Sequence, residues 1–214
     1  MIGNERKANG RHSGIKRDRS GGYSGTMKEG RAMEKLAICM ADGCEEIEGL
    51  TVVDLLRRAG IPIDMVSIQM EAKVCGSHRI TFETDTTAEK AVWADYAGII
   101  LPGGMPGTNH LKENPYVRKA VQDFDRAGKL VAAICAAPTV LGACGVLSGK
   151  NATCYPGMEA ELTGAHFQTD PVVVDGHLIT SRGMGTAIPF ALAIVAYFQG
   201  QDSADALAEK IVFA

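Results

Sequence analysis

No stretch of this 214-residue chain approaches the roughly 18 to 20 consecutive apolar residues that a membrane span requires. Six cysteines are too sparse for a disulfide scaffold, and no two of them form a CxxC pair or a zinc-type cluster. Phosphate-loop and nicotinamide fingerprints are missing as well, so neither a metal nor a cofactor is expected. A net charge of −3 supplies no global attraction for nucleic acid. With 46% hydrophobic and 22% charged residues, what remains is an ordinary globular domain with reduced thiols, expected in the cytoplasm.

The charge is unevenly spread. Residues 1–32 carry eight Lys or Arg against three acids, a net +5, which leaves −8 on the remainder. The same segment holds seven of the 25 glycines and no apolar core of the secretory-signal kind. Such a composition buries too little surface to offset its ordering entropy, so a disordered, basic, Gly-rich extension is expected. A nucleic-acid arm is the sharper alternative, but no aromatic cluster accompanies the charge. Met33 then reads as the natural initiator, and 33–214 as the folded domain.

From Met33 onward, short apolar runs alternate with helical patterns. Strands are expected at 36–40, 63–68, 97–101 and 130–134, each closed by turn residues. Helices are expected at 45–59, 115–127, 137–147, 186–198 and 204–212. The first opens on acids and closes on Arg57-Arg58, which suits its dipole. Val74 to Thr84 reads as a short excursion or hairpin. Val172 to Thr180, with Asp175-Gly176 in its middle, reads as a β-hairpin. Alternation of this kind implies an α/β fold with a mostly parallel sheet covered on both faces.

Ligands in that architecture sit beyond the carboxyl ends of the strands, and three such ends carry chemistry. Cys135 lies directly between a strand and a helix start marked by Pro138, the position of an exposed elbow. Unpaired amides at a helix N-terminus favour thiolate over thiol, so a lowered pKa is expected there. Gly43-Cys44-Glu45-Glu46-Ile47-Glu48 opens the first helix. Glu45 and Glu46 suit its dipole, while Glu48, one turn in, is expected to face the crevice with Glu46 toward solvent. Gly103-Gly104, after the third of these strands, can expose backbone N–H groups that with Ala136 would form an oxyanion site.

These segments together resemble the ThiJ/PfpI (DJ-one) superfamily, in the branch holding the Parkinson-disease-associated protein and the bacterial YajL-type proteins. The resemblance rests on ADGCEEIE (41–48), VDLLRRAG (53–60), ILPGG (100–104), AAICAAPT (132–139) and SRGMGT (181–186). It implies a flavodoxin-like α/β/α sandwich of the class I glutamine amidotransferase-like kind, usually a homodimer. Cys135 takes the place of the family's oxidation-sensitive nucleophile, and Glu48 that of its partner acid. Gly103, Gly104 and Ala136 match the backbone groups around the sulfur. Arg58 matches an arginine near the partner subunit's site, and either His78 or Arg79 stands opposite a further site arginine. Tyr155 stands where deglycase relatives often carry histidine. Protease-like relatives place His directly after the cysteine; here that residue is Ala136, which argues against an intrinsic peptidase.

By resemblance the first expectation is a glyoxalase III or deglycase-like enzyme acting on methylglyoxal or on its early amine and thiol adducts. The alternative is a redox-sensing chaperone in which Cys135 is oxidised to a sulfinic acid without turnover. Cys39 and Cys144 are expected in the core; Cys44 lies in a loop near the first helix start, where oxidation is the lesser of its two readings. His166 and His177 are expected in solvent, and His110, six residues past the glycine turn, within reach of the site.

Overall fold

The computed structural model describes residues 35–213. The extension expected at 1–32 lies outside the described residues.

In chain order, β1 (Lys35–Met40) leads into α1 (Glu46–Arg58) and β2 (Ile63–Ser67). A small antiparallel hairpin follows, β3 (Lys73–Cys75) and β4 (Thr81–Glu83), then the short β5 (Thr86–Thr87). Next come β6 (Tyr96–Leu101), α2 (Gly107–Glu113), α3 (Pro115–Arg126), β7 (Leu130–Ile134) and α4 (Pro138–Cys144). The chain ends with the two-residue β8 (Asn151–Ala152) and β9 (His166–Phe167), β10 (Val172–Asp175), β11 (Leu178–Ser181), α5 (Ala187–Gln199) and α6 (Gln201–Lys210).

Seven strands form one sheet in the order β10-β11-β7-β6-β1-β2-β5, parallel throughout except for the β10–β11 hairpin. Side chains alternate across it. In β1, Leu36, Ile38 and Met40 enter one core while Ala37 and Cys39 enter the other. The first core is closed by α1, α5 and α6 through residues such as Leu56 and Phe190; the second by α3 and α4 through residues such as Phe124 and Leu141. Burial on both faces is why these strands read as continuous apolar runs rather than as alternating ones. The expected three-layer α/β/α fold with its small hairpin is the one observed.

Differences are local and have identifiable causes. The helix expected at 137–147 stops at Cys144, because Gly145 takes a left-handed conformation (φ +77°) that ends it. Helix α2 was not anticipated: Gly-Thr-Asn-His offers no apolar period. Helix α3 begins where Asn114 accepts from the amides of Tyr116 and Val117 at 3.0 and 3.1 Å, with Pro115 in the first turn.

Strands β1, β6 and β7 lie side by side at the middle of the sheet, and the chain leaves β1 in one direction for β2 and returns on the other side as β6. Their carboxyl ends therefore open on a topological switch point, where a crevice forms.

Candidate active site

Cys135 is the first residue past β7, and its φ is +64°, a left-handed conformation rare for any residue other than glycine. The surrounding chain enforces it. The Cys135 amide donates to the Ser181 carbonyl at 2.9 Å, and the Cys135 carbonyl accepts from the Tyr155 amide at 2.8 Å. Ala137 N–H closes the turn onto Ile134 O at 3.0 Å. The strand-to-helix elbow expected from sequence is thus a strained one, pinned from both sides, with the thiol half-buried.

Glu48, the third residue of α1, is 1% exposed. Its Oε2 accepts the Gly103 N–H at 2.8 Å, and its Oε1 is buried without a hydrogen-bond partner. The carboxyl group adjoins the Cys135 thiol, and the backbone N–H groups of Gly104 and Ala136 lie against the same sulfur. Gly103 is required by space: a Cβ there would stand 2.7 Å from Cys135 Cβ and 2.8 Å from Glu48 Oε2. Gly104, at φ +90°, brings its backbone hard against that of Glu45.

The electrostatics reverse one expectation. Burial pushes the Cys135 thiol up to about 12, reinforced by the neighbouring Glu48 carboxylate, and the Ala136 and Gly104 amides offset only part of this. The lowered thiol pKa inferred from the helix start is therefore not found: that argument omitted desolvation and a like charge. Burial also raises the Glu48 carboxyl to about 7, with the Glu45 charge adding to the rise and the Cys135 and Gly103 bonds opposing it. Sulfur and carboxyl behave as one acid that sheds its first proton near neutrality and resists losing the second. The singly charged pair has two forms, thiol beside carboxylate and thiolate beside carboxylic acid; burial of the sulfur weights the first, and the Gly104 and Ala136 amides work toward the second.

Glu46 is a second correction. Expected in solvent, it is 3% exposed. Its carboxylate accepts from His78 N at 2.8 Å, His78 Nδ1 at 3.0 Å and Ile80 N at 3.4 Å, and Gly76 packs directly against it. These donors hold its carboxyl below the usual range despite burial, and they tie the β3–β4 hairpin to the start of α1. Of the pair left open in the sequence, His78 turns to Glu46 and Glu45, and this raises its imidazole pKa; Arg79 is exposed at φ +64°. Ligand atoms of Glu45, Glu46 and His78 lie within 4.8 Å of one another, but the Glu46 oxygens are already committed to the hairpin.

The remaining expected residues are spread more widely. Tyr155 adjoins the site through its backbone, with its ring half exposed and against Gly183. Arg58 sits on the outer face of α1, its Nε on Asp54 at 2.7 Å. His110 bonds the Asp42 carbonyl at 2.9 Å, fastening α2 to the β1–α1 turn. Cys39 and Cys144 are in the core as expected, while Cys44, expected in an accessible loop, is fully buried against Val52 and Val74. His177 is not in solvent either: its Nε2 meets Asp125 at 2.8 Å. Ser181 went unrecognised, since its role is carried by a backbone carbonyl; the SRGMGT segment was the only signal.

Known proteins share this sequence and fold. The DJ-1/PfpI family profile matches residues 34–197. The chain is 37% identical over 179 residues to Protein dj-1beta of Drosophila melanogaster, covering 83% of this chain and 96% of that one. It is 32% identical over 188 residues to a Caenorhabditis elegans protein named glutathione-independent glyoxalase DJR-1.2, covering 86% of this chain and 99% of the other. The oxidised DJ-1 of Toxoplasma gondii superposes with a TM-score of 0.81 at 31% identity, over 84% of this chain and 98% of that one. Drosophila DJ-1beta superposes at 0.80 with 39% identity, over 85% of this chain and 100% of the other. With a family match across 34–197 and relatives above 30% identity over nearly their whole length, the chain belongs to the DJ-1/PfpI family.

Proposed function

We propose that the protein is a cysteine-dependent, cofactor-independent glyoxalase that converts small 2-oxoaldehydes to 2-hydroxy acids, and that it acts likewise on their early adducts with amines and thiols. The observation that carries this reading is the Cys135–Glu48 pair: one proton held between a nucleophile and a buried carboxyl group that titrates near neutrality.

In the thiolate form, Cys135 sulfur adds to the aldehyde carbon of methylglyoxal and forms a hemithioacetal. The developing oxyanion lies within reach of the Gly104 and Ala136 amides. Glu48, having given its proton to that oxygen, removes the hydrogen from the former aldehyde carbon to give an enediol; the proton on the first oxygen passes to the second, and Glu48 returns its own to the adjacent carbon. The product is a lactoyl thioester on Cys135. Water cleaves it to lactate and restores the thiol, so methylglyoxal plus water gives lactic acid with no external oxidant or reductant. The C. elegans relative named as a glutathione-independent glyoxalase supports the assignment.

The outer faces of α1 and α5 support a homodimer. Leu50, Leu55, Ile188 and Ile211 line an open hollow of about 550 Å³ with Arg58 at its edge, a surface a second copy would cover.

A second reading, oxidation of Cys135 to a sulfinic acid as a stress signal, is favoured by the unpartnered Glu48 Oε1, which could hold a proton for an oxygen added to the sulfur. Glu48→Gln separates the two. It keeps a hydrogen-bond donor and removes proton transfer, so methylglyoxal turnover is expected to fall at least 100-fold. Excess peroxide should still convert Cys135 to the sulfinic acid. Undiminished turnover in that variant rules out the glyoxalase mechanism.

A further inference from the structure

Glu46 has more partners than a latch requires. Its Oε1 accepts the His78 and Ile80 backbone amides at 2.8 and 3.4 Å, two bonds that tie the β3–β4 hairpin to α1 whatever side chain stands at 78. The imidazole comes in addition. His78 Nδ1 stands 3.0 Å from Glu46 Oε2, 3.6 Å from Glu45 Oε1 and 3.0 Å from Ser77 Oγ. Ser77 Oγ in turn lies 3.4 Å from an oxygen of each glutamate. One imidazole is thus set between two carboxylates, with 67% of its side chain open to water and its protons. Those carboxylates border the reacting pair. Glu45 immediately precedes α1, three positions before Glu48; its amide donates to the Gly103 carbonyl at 2.9 Å, and the Gly103 amide donates to Glu48 Oε2 at 2.8 Å. Across this short link the Glu45 charge strengthens the hold of Glu48 on its proton. Other charged groups on the adjoining segments are turned away: Asp42 in the β1–α1 turn takes the Cys75 amide at 2.8 Å, and Arg79, next along the hairpin, is exposed.

Resting on the glyoxalase reading above, which makes Cys135 and Glu48 the reacting groups, we propose that His78 is a positioning residue for them: its imidazolium offsets the Glu45 and Glu46 charges and keeps the pair singly charged as the medium turns acid. Two carboxylates oppose a further negative charge beside them, and a cation set between the two removes much of that opposition. The Glu46 and Glu45 carboxylates also raise the affinity of His78 for its proton, so the imidazolium persists past the ordinary value of 6.5. The influence is mutual, because ionisation of the pair tightens the hold of His78 on its proton by the same factor. The sign follows. On the acid side of neutrality His78 is charged and helps the pair shed its first proton; on the alkaline side His78 is neutral and the pair has already ionised. Because the imidazole is largely in water, the effect is modest and is screened by salt.

The test is the pH profile of iodoacetamide labelling at Cys135, read on the peptide that carries it, in the full-length wild type, His78→Gln and His78→Lys. Both variants retain the backbone amide at 78 that Glu46 accepts. At pH 6, His78→Gln should label about two- to fivefold more slowly than the wild type, a midpoint raised by roughly 0.3 to 0.7 pH units. At pH 8.5 the two should label alike. The pH 6 deficit should vanish in 1 M NaCl, where the screening length falls to about 3 Å. His78→Lys, which keeps a cation, should label at pH 6 at least as fast as the wild type. A merely structural role would move glutamine and lysine alike and would survive salt. Equal profiles in wild type and His78→Gln, the same deficit in His78→Lys, or a deficit that persists in salt overturns the proposal. Labelling needs no turnover, so absence of methylglyoxal consumption in all three proteins counts against the glyoxalase reading and leaves His78 to be judged by labelling.

Discussion

The Gly103 amide donates to Glu48 Oε2 at 2.8 Å, joining the end of β6 to the first turn of α1 across 55 residues of sequence. That bond holds the carboxyl group in place beside the Cys135 thiol.

Gly103→Ala should therefore act on the reacting pair rather than on the loop alone. Its Cβ would enter within 2.7 Å of Cys135 Cβ and 2.8 Å of Glu48 Oε2, with the Ala136 backbone nitrogen 3.0 Å away. We expect a destabilisation of about 1–3 kcal/mol, as for other overpacked sites, and a turnover loss well beyond what that stability change explains. Thermal melts alongside methylglyoxal consumption measure both, and an active Gly103→Ala protein contradicts the assignment of the pair.

The alkylation rate of Cys135 should follow the shared proton. The first proton leaves the pair near pH 7, where Glu48 titrates, so iodoacetamide labelling should rise through about that pH instead of the ordinary thiol value of 9.0. In Glu48→Gln the lower step has no source. Burial, the largest influence on the thiol, then outweighs the Ala136 and Gly104 amides, and the midpoint should move above 9.0.

Glu48 also trades stability for its position. Its carboxyl is raised from 4.5 to about 7, so between those values the folded chain holds a proton that the unfolded chain has released. Stability from this site is complete below pH 4.5 and is lost as pH rises toward 7. Glu48→Gln should accordingly melt higher than the wild type at pH 8, by up to about 3 kcal/mol, with the advantage shrinking to nothing near pH 4.

Glu46 carries the opposite sign. Its carboxyl is held low by His78 and Ile80 donors, so its contribution is present above the ordinary carboxylate pKa and vanishes as pH falls through the folded value. Glu46→Gln should cost about 2 kcal/mol at pH 7 and far less in acid, and hydrogen exchange at the β3–β4 hairpin should speed up in the same variant.

What the sequence disclosed and what it hid follow from where each signal resides. The elbow at Cys135 was legible because a buried apolar run meets Pro138 with three residues between them. The Asp175-Gly176 turn was legible because Gly176 takes the left-handed conformation that such hairpins need (φ +64°). Glu46 was misjudged because an acid in a helix's first turn normally serves the dipole; nothing local announces that a hairpin more than 30 residues away will enclose it. The thiol was misjudged for a related reason: a helix start is visible in sequence, whereas the water excluded from Cys135 depends on β6, α1 and β11 arriving together.

The anchoring of Cys135 has a consequence for the protein during its own synthesis. The residue that receives its amide, Ser181, lies 46 positions further along the chain. Until that stretch has left the ribosome, the left-handed turn lacks one of the two bonds that pin its central residue, the other being the one from the Tyr155 amide. The turn at Cys135 is thus pinned from both sides only once the last strand of the sheet has docked.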